Sequence, residues 1–143
     1  MRVGFRGTQE EMTLAQKAKV GQLLDVLKPD ELHHGDSIGA DADANALAQA
    51  LNIPVVLHPP ENSAKRAFCL HAVEIRPVLP YLVRNRAIVD ETDLLIATPK
   101  GFREEVRSET WSTVRYARKR WKTIWIVFPD GSTQLQSGGI TDA

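Results

Sequence analysis

Asp93-Leu94-Leu95-Ile96-Ala97-Thr98-Pro99-Lys100-Gly101 decides the fold. Its apolar run shows no polar alternation, which predicts a strand buried on both faces. A turn of proline, lysine and glycine follows, and Ser108-Glu109-Thr110-Trp111 then leads into a helix. A strand that passes through such a turn into a helix is the repeating unit of a parallel sheet.

The same handover occurs upstream. Leu32-His33-His34 reads as a short strand, and His34-Gly35-Asp36-Ser37-Ile38-Gly39-Ala40-Asp41 turns the chain toward a helix marked by Ala44, Leu47, Ala48 and Leu51. Val3 to Phe5 form the first strand, and Thr13-Leu14-Ala15-Gln16 fits a capping box. Val20, Leu23, Leu24 and Leu27 then follow helical spacing until Pro29. Ile53 to His58 is the next strand. Leu79, Leu82, Val83 and Val89 predict a helix begun near Pro80, with Arg86 on the same face. Trp111, Val114, Ala117 and Trp121 space a further helix, and Thr123 to Phe128 is the last strand.

These elements predict an α/β fold: one domain, a mostly parallel sheet, helices on both faces. The domain spans 1–129. Residues 59–78, with Pro59-Pro60, Asn62-Ser63 and Pro77, form an irregular lid-like loop. Residues 130–143 are expected to be a flexible tail.

Composition narrows the function classes. Eighteen Lys and Arg balance eighteen Asp and Glu, so no overall field recruits nucleic acid or an anionic membrane. Cys69 is the single cysteine, which excludes an internal disulfide. The N-terminus lacks a signal-peptide layout and no apolar run approaches a membrane span, so the expected location is cytoplasmic. The four histidines show no metal-ligand spacing, so no metal site is expected. There is no G-x-G-x-x-G, Walker or G-x-S-x-G motif.

The two turns differ in charge. A helix N-terminus carries unpaired N–H donors and a partial positive charge. Ser108 and Thr110, with Arg103 and Arg107 nearby, suit a phosphate there. The bland alternative makes Ser108 only an N-cap. Asp36, Asp41 and Asp43 at the first turn would repel phosphate, and suit ribose hydroxyls or a divalent cation. For Asp43 the preferred reading is stabilisation of the helix dipole. Gly35 and Gly39 allow close ligand approach or simply make the turn. Arg86 on an apolar face needs an anion, either Asp90 four residues on or a ligand. Arg84 and Asn85 offer charge and amide groups on neighbouring faces.

Gly4-Phe5-Arg6-Gly7-Thr8, His34-Gly35-Asp36 with Gly39-Ala40-Asp41, Arg84-Asn85-Arg86, and Asp93 to Ala97 with Ser108-Glu109-Thr110 together resemble the SLOG superfamily. That superfamily includes the LOG phosphoribohydrolases, the DNA-processing protein A family and putative molybdenum cofactor carriers. The resemblance runs from about Val3 to Phe128. It implies a Rossmann-like fold and a nucleotide-derived ligand at the strand C-termini. The ligand-binding residues expected are Gly7, Thr8, Gly35, Asp36, Gly39, Asp41, Arg84, Asn85, Arg86, Thr98, Gly101, Ser108 and Thr110. It also implies a homo-oligomer. In LOG enzymes an arginine precedes the buried strand, and Arg84 matches it by its distance to Asp93. Thr110 matches the family threonine. The position of the catalytic glutamate is Thr113 here, and the family's Gly-Gly pair is replaced by Pro99-Lys100-Gly101.

Three functions follow. The first is binding of a nucleotide or nucleotide-derived ligand, as sensor or carrier. The second is a nucleotide N-glycosidic hydrolase, with Asp36, Asp41 or Glu109 as catalytic candidates, because a threonine hydroxyl is no base at neutral pH. The third is single-stranded DNA binding through Arg115, Arg118 and Lys119, against which the zero net charge argues.

Overall fold

A computed structural model describes residues 1–138 of the chain. The elements run β1 (Arg2–Gly7), α1 (Leu14–Leu27), β2 (Glu31–His34), α2 (Ala40–Ala50), β3 (Val55–Leu57), β4 (Glu74–Ile75), α3 (Tyr81–Asp90), β5 (Leu94–Thr98), α4 (Glu109–Lys119), β6 (Thr123–Val127) and β7 (Thr133–Gln136). They build one sheet in the order β4-β3-β2-β1-β5-β6-β7. Every neighbouring pair is parallel except β6 with β7.

β5 explains why both faces are covered. Leu94 and Ile96 join Val3, Phe5, Leu32 and Leu57 in a core that α1 and α2 cover with Val20, Leu24, Ala44 and Ala48. Leu95 and Ala97 point the other way, into a core with Trp111, Val114 and Ala117 of α4. A period of two on the strand thus feeds two separate cores.

Local chemistry sets the helix ends. Thr13 and Gln16 form the reciprocal capping box at α1. Ser108 accepts from Trp111 N–H and caps α4. Gly39 caps α2 at φ +91, a conformation that a side chain resists.

Three expectations need correction. The inner face of α3 is not Leu82, Val83 and Arg86, which are exposed, but Arg84, Asn85, Ile88 and Val89. That face meets polar groups at the sheet's end as well as apolar core, so hydrophobic spacing misplaced it. Trp121 lies just past α4 at φ +60, mostly exposed. The expected tail is in part a strand: Thr133–Gln136 pairs antiparallel with β6 after a turn at Asp130–Ser132. Its exposed polar residues hid it. Positions 139–143 of that tail lie outside the described residues. The 59–78 segment is mostly irregular, with a 3-10 turn at Ser63–Lys65 and the two-residue strand β4.

Candidate functional site

β1 and β5 are neighbours, yet the chain leaves them toward opposite faces, β1 to α1 and β5 to α4. The loops therefore part above the strand ends and leave a crevice, the usual ligand position in an open α/β sheet. A cavity of about 320 Å³ lies there, walled by Arg6 to Glu10 on one side and Lys100, Arg107, Ser108, Glu109 and Thr110 on the other. A second, of about 500 Å³, continues toward the 59–65 segment. Its walls include Ser37, Asn62, Lys65, Tyr81 and Arg84. Gln9 and Glu109 line both cavities, so the two adjoin.

The first glycine turn is closed. An added Cβ on Gly39 would run into the Gln9 backbone, and Ala40 N–H donates to Thr8 O at 3.1 Å. Asp36 is fully buried at φ +51. Its Oδ2 accepts from Arg66 Nε at 2.7 Å and its Oδ1 from Cys69 N–H at 2.9 Å. Its carbonyl holds Ala67 N–H and its own N–H donates to His34 Nδ1. Asp36 therefore anchors the lid-like segment to the end of β2. Asp41, also buried, accepts from Arg6 Nη1 at 2.7 Å and from Ser37 N–H at 3.2 Å. With arginines on both carboxylates, this turn does not suit a cation. Asp43 accepts from Met12 N–H at 2.8 Å.

Between the turns stands a buried polar knot. Arg84 Nη1 donates to Gly35 O at 2.6 Å and His58 O at 3.2 Å. A Cβ on Gly35 would sit 2.5 Å from Arg84 Nη1 and 2.7 Å from Arg6 Nη1, so any side chain there displaces both guanidinium groups from their buried partners. Burial, then the nearby Arg6 charge, pulls the Arg84 guanidinium down to about 10, so it stays charged at neutral pH. Arg6 Nε, Asp41 Oδ1, Arg84 Nε, Asn85 Oδ1 and Thr98 Oγ1 are buried without a protein partner. Buried polar atoms of this kind ask for a ligand or water. Thr98 Oγ1 would also meet a Cβ on Gly7 at 2.5 Å, which keeps Gly7 a glycine.

The second turn is open. Ser108 and Thr110 line the smaller cavity with Lys100 and Arg107, while Arg103 does not reach it. Thr8 lines it too, with its hydroxyl on the Glu10 backbone. Gly101 has no heavy atom within 4 Å of an added Cβ, so it makes no close approach. Of the three catalytic candidates only Glu109 reaches the cavities, with Oε1 3.5 Å from Asn85 Nδ2. Thr113 is buried and donates to the Glu109 carbonyl. Arg86 faces away over the Tyr116 ring at 5.2 Å, and Asp90 instead serves Tyr116 and Arg120. The α4 basic run is engaged by the chain itself: Arg115 and Arg118 pair with Glu104.

Sequence reasoning undervalued Arg6, Gln9, Lys65 and Tyr81. A charge inside the buried run Val3 to Gly7 was the available signal for Arg6. It also separated histidines that the fold unites. His33 and His58 are hydrogen-bonded at 2.9 Å, and burial pushes the His58 imidazole down to about 4.

No protein-family model matches this sequence, and no curated protein matches it. Solved structures do. The molybdenum cofactor binding protein from the phototrophic bacterium Rippkaea orientalis is similar with a TM-score of 0.66 and 21% identity, over 89% of this chain and 76% of that one. The likeness shows a shared Rossmann-like α/β fold. TM1055, a structural genomics consortium target, matches with a TM-score of 0.61 and 12% identity, over 86% of this chain and 71% of its own. No helix among the described residues is long and apolar enough to cross a membrane.

Proposed function

We propose that this protein binds a phosphorylated, nucleotide-derived small molecule across the crevice, as a carrier or sensor. The adjoining cavities, with the α4 N-terminus and Lys100 and Arg107 at one end, carry this reading. The phosphate belongs at Ser108 to Thr110, where backbone N–H groups and the helix dipole favour an anion. The larger cavity takes the rest of the ligand, with Tyr81 as a flat apolar wall and Asn62 and Lys65 as polar contacts. A structural neighbour that binds the molybdenum cofactor supports a small-ligand role on this type of fold.

A thermal-shift screen of nucleotides, cyclic nucleotides, ADP-ribose species and molybdopterin tests the reading. A true ligand at a hundredfold excess over its Kd adds about 2.7 kcal/mol of stability. The same ligand without its phosphate should lose most of that shift. Unchanged melting with every probe at saturating concentration overturns the reading.

Glu109 favours a second reading, since it is the catalytic candidate that lines both cavities. As general acid–base it would help water add to the ribose C1′ of a nucleoside monophosphate as the C1′–N bond breaks, with the water's proton passing to the departing base and ribose phosphate left behind. Chromatography of free base decides it: the release must be abolished in Glu109→Gln, and release that persists there sinks this role.

A further inference from the structure

A second polar cluster lies outside the crevice, on the sheet face opposite the α1/α2 core. Glu31 and His33 are two apart in β2 and point to the same side. β3 runs parallel in the register His33 with Val56, so His58, two residues beyond Val56, comes to the same side. Glu91, the C-cap of α3, closes the group. His33 and His58 are 0% and 2% exposed. His33 Nδ1 lies 2.9 Å from His58 Nε2 and 4.0 Å from Glu91 Oε1. One donor atom from each of the three residues lies within 4.8 Å of the other two.

The tautomer follows from the partners. Glu31 Oε1 lies 2.9 Å from His33 Nε2, and a carboxylate accepts only, so Nε2 carries the hydrogen. The Nδ1 of a neutral His33 is then a lone pair aimed at His58 and Glu91. A carboxylate behind the far nitrogen is what orients metal-bound imidazoles in general. Two imidazoles and one carboxylate are a recurrent zinc donor set that leaves a position for water.

We propose that His33 Nδ1, His58 Nε2 and Glu91 bind one divalent ion of the zinc class, with Glu31 as the positioning residue. Tetrahedral ligands on zinc stand roughly 3.3 Å apart. The imidazoles need to part by a few tenths of an ångström, and Glu91 to move in by about 0.7 Å toward His33 and by up to about 1.5 Å toward His58, a rotation of its partly exposed side chain. The competitor is Arg76, whose Nε and Nη2 hold Glu91 Oε1 at 2.9 and 2.8 Å. Arg76 is also paired with Glu74, so it can turn to that partner when the ion takes Glu91.

The full chain, untagged and stripped with EDTA, is titrated with Co(II) and with Zn(II). Visible d–d absorption of Co(II) reports low coordination number, and calorimetry reports stoichiometry. One ion per chain with an intense band is expected. Glu91→Gln and His58→Gln should each weaken binding at least ~10-fold, and Glu31→Gln about 10- to 100-fold. Arg76→Gln should tighten binding, because it frees Glu91 and removes a positive charge. A cluster that only packs gains nothing from that change. His71→Ala, at an exposed histidine, should leave binding unchanged. Absence of the Co(II) band, or binding that survives Glu91→Gln, overturns the proposal. Both Glu91 and Arg76 are partly exposed, so those variants fold even if His58→Gln does not.

Discussion

α2 and α4 both begin just beyond the C-terminal end of a parallel strand, on opposite faces of the sheet, and both follow a glycine-bearing turn. The start of α2 is filled by the chain itself. Gly39 backs onto Gln9, Ser37 N–H goes to Asp41, and Asp36 is held by Arg66 and Cys69. The start of α4 faces a cavity lined by Lys100 and Arg107. The dipole is the same in both. What differs is the matter opposite: arginine-paired carboxylates and backbone at α2, and at α4 an open space whose walls carry Lys100 and Arg107 alongside Glu10 and Glu109. A helix N-terminus becomes an anion site only where the chain does not consume it first.

The largest test of this contrast is the buried pair at the closed turn. Asp41→Ala leaves Arg6 charged and unpaired, and should cost about 3–5 kcal/mol in urea unfolding. A cost below ~1 kcal/mol would mean that the turn is solvated rather than closed. Gly39→Ala should also destabilise, by roughly 1–2 kcal/mol or more from its positive φ alone. Gly101→Ala at the open turn should stay within ~0.5 kcal/mol of the parent.

Asp36→Asn probes the anchor of the lid-like segment. Loss of a charged acceptor with two partners should cost about 1–3 kcal/mol. It also has a chemical readout. Burial, then the Asp36 carboxylate, pushes the Cys69 thiol up to about 12, so at pH 8 it is protonated and slow with iodoacetamide. The substitution should lower that value and speed labelling. Equal labelling rates at pH 8 in both proteins would show that Asp36 does not hold the segment shut.

At the open turn the effects on folding are smaller. Ser108→Ala removes the cap and should cost ~1 kcal/mol, together with part of the ligand-induced thermal shift. Lys100→Ala with Arg107→Ala should change stability by less than ~0.5 kcal/mol and lower nucleotide affinity several-fold, more at low salt. Affinity that is insensitive to both substitutions and to salt would erase the difference between the two turns.

Much of the fold is legible in the sequence. The run Leu94 to Ala97 demanded burial on two sides, and Leu94/Ile96 and Leu95/Ala97 do enter different cores. Thr13/Gln16 and Ser108 announced their helices by local chemistry alone. α3 was misread because its buried face carries Arg84 and Asn85, so apolar spacing pointed to the wrong side. β7 went unseen because an exposed edge strand of polar residues has no hydrophobic signature.

Periodicity, caps and turn residues act over a few positions, and so they were enough to place alternating strands and helices in a parallel sheet. The fate of each charge depends on partners far along the chain. Asp36 meets Arg66, Asp41 meets Arg6, and His33 meets His58, across 30, 35 and 25 residues. Strand order and register create those meetings, and no local pattern encodes them. The chain therefore declared two candidate ligand turns, one suited to phosphate and one to hydroxyls or a cation, and only packing across the sheet closed one and left the other open.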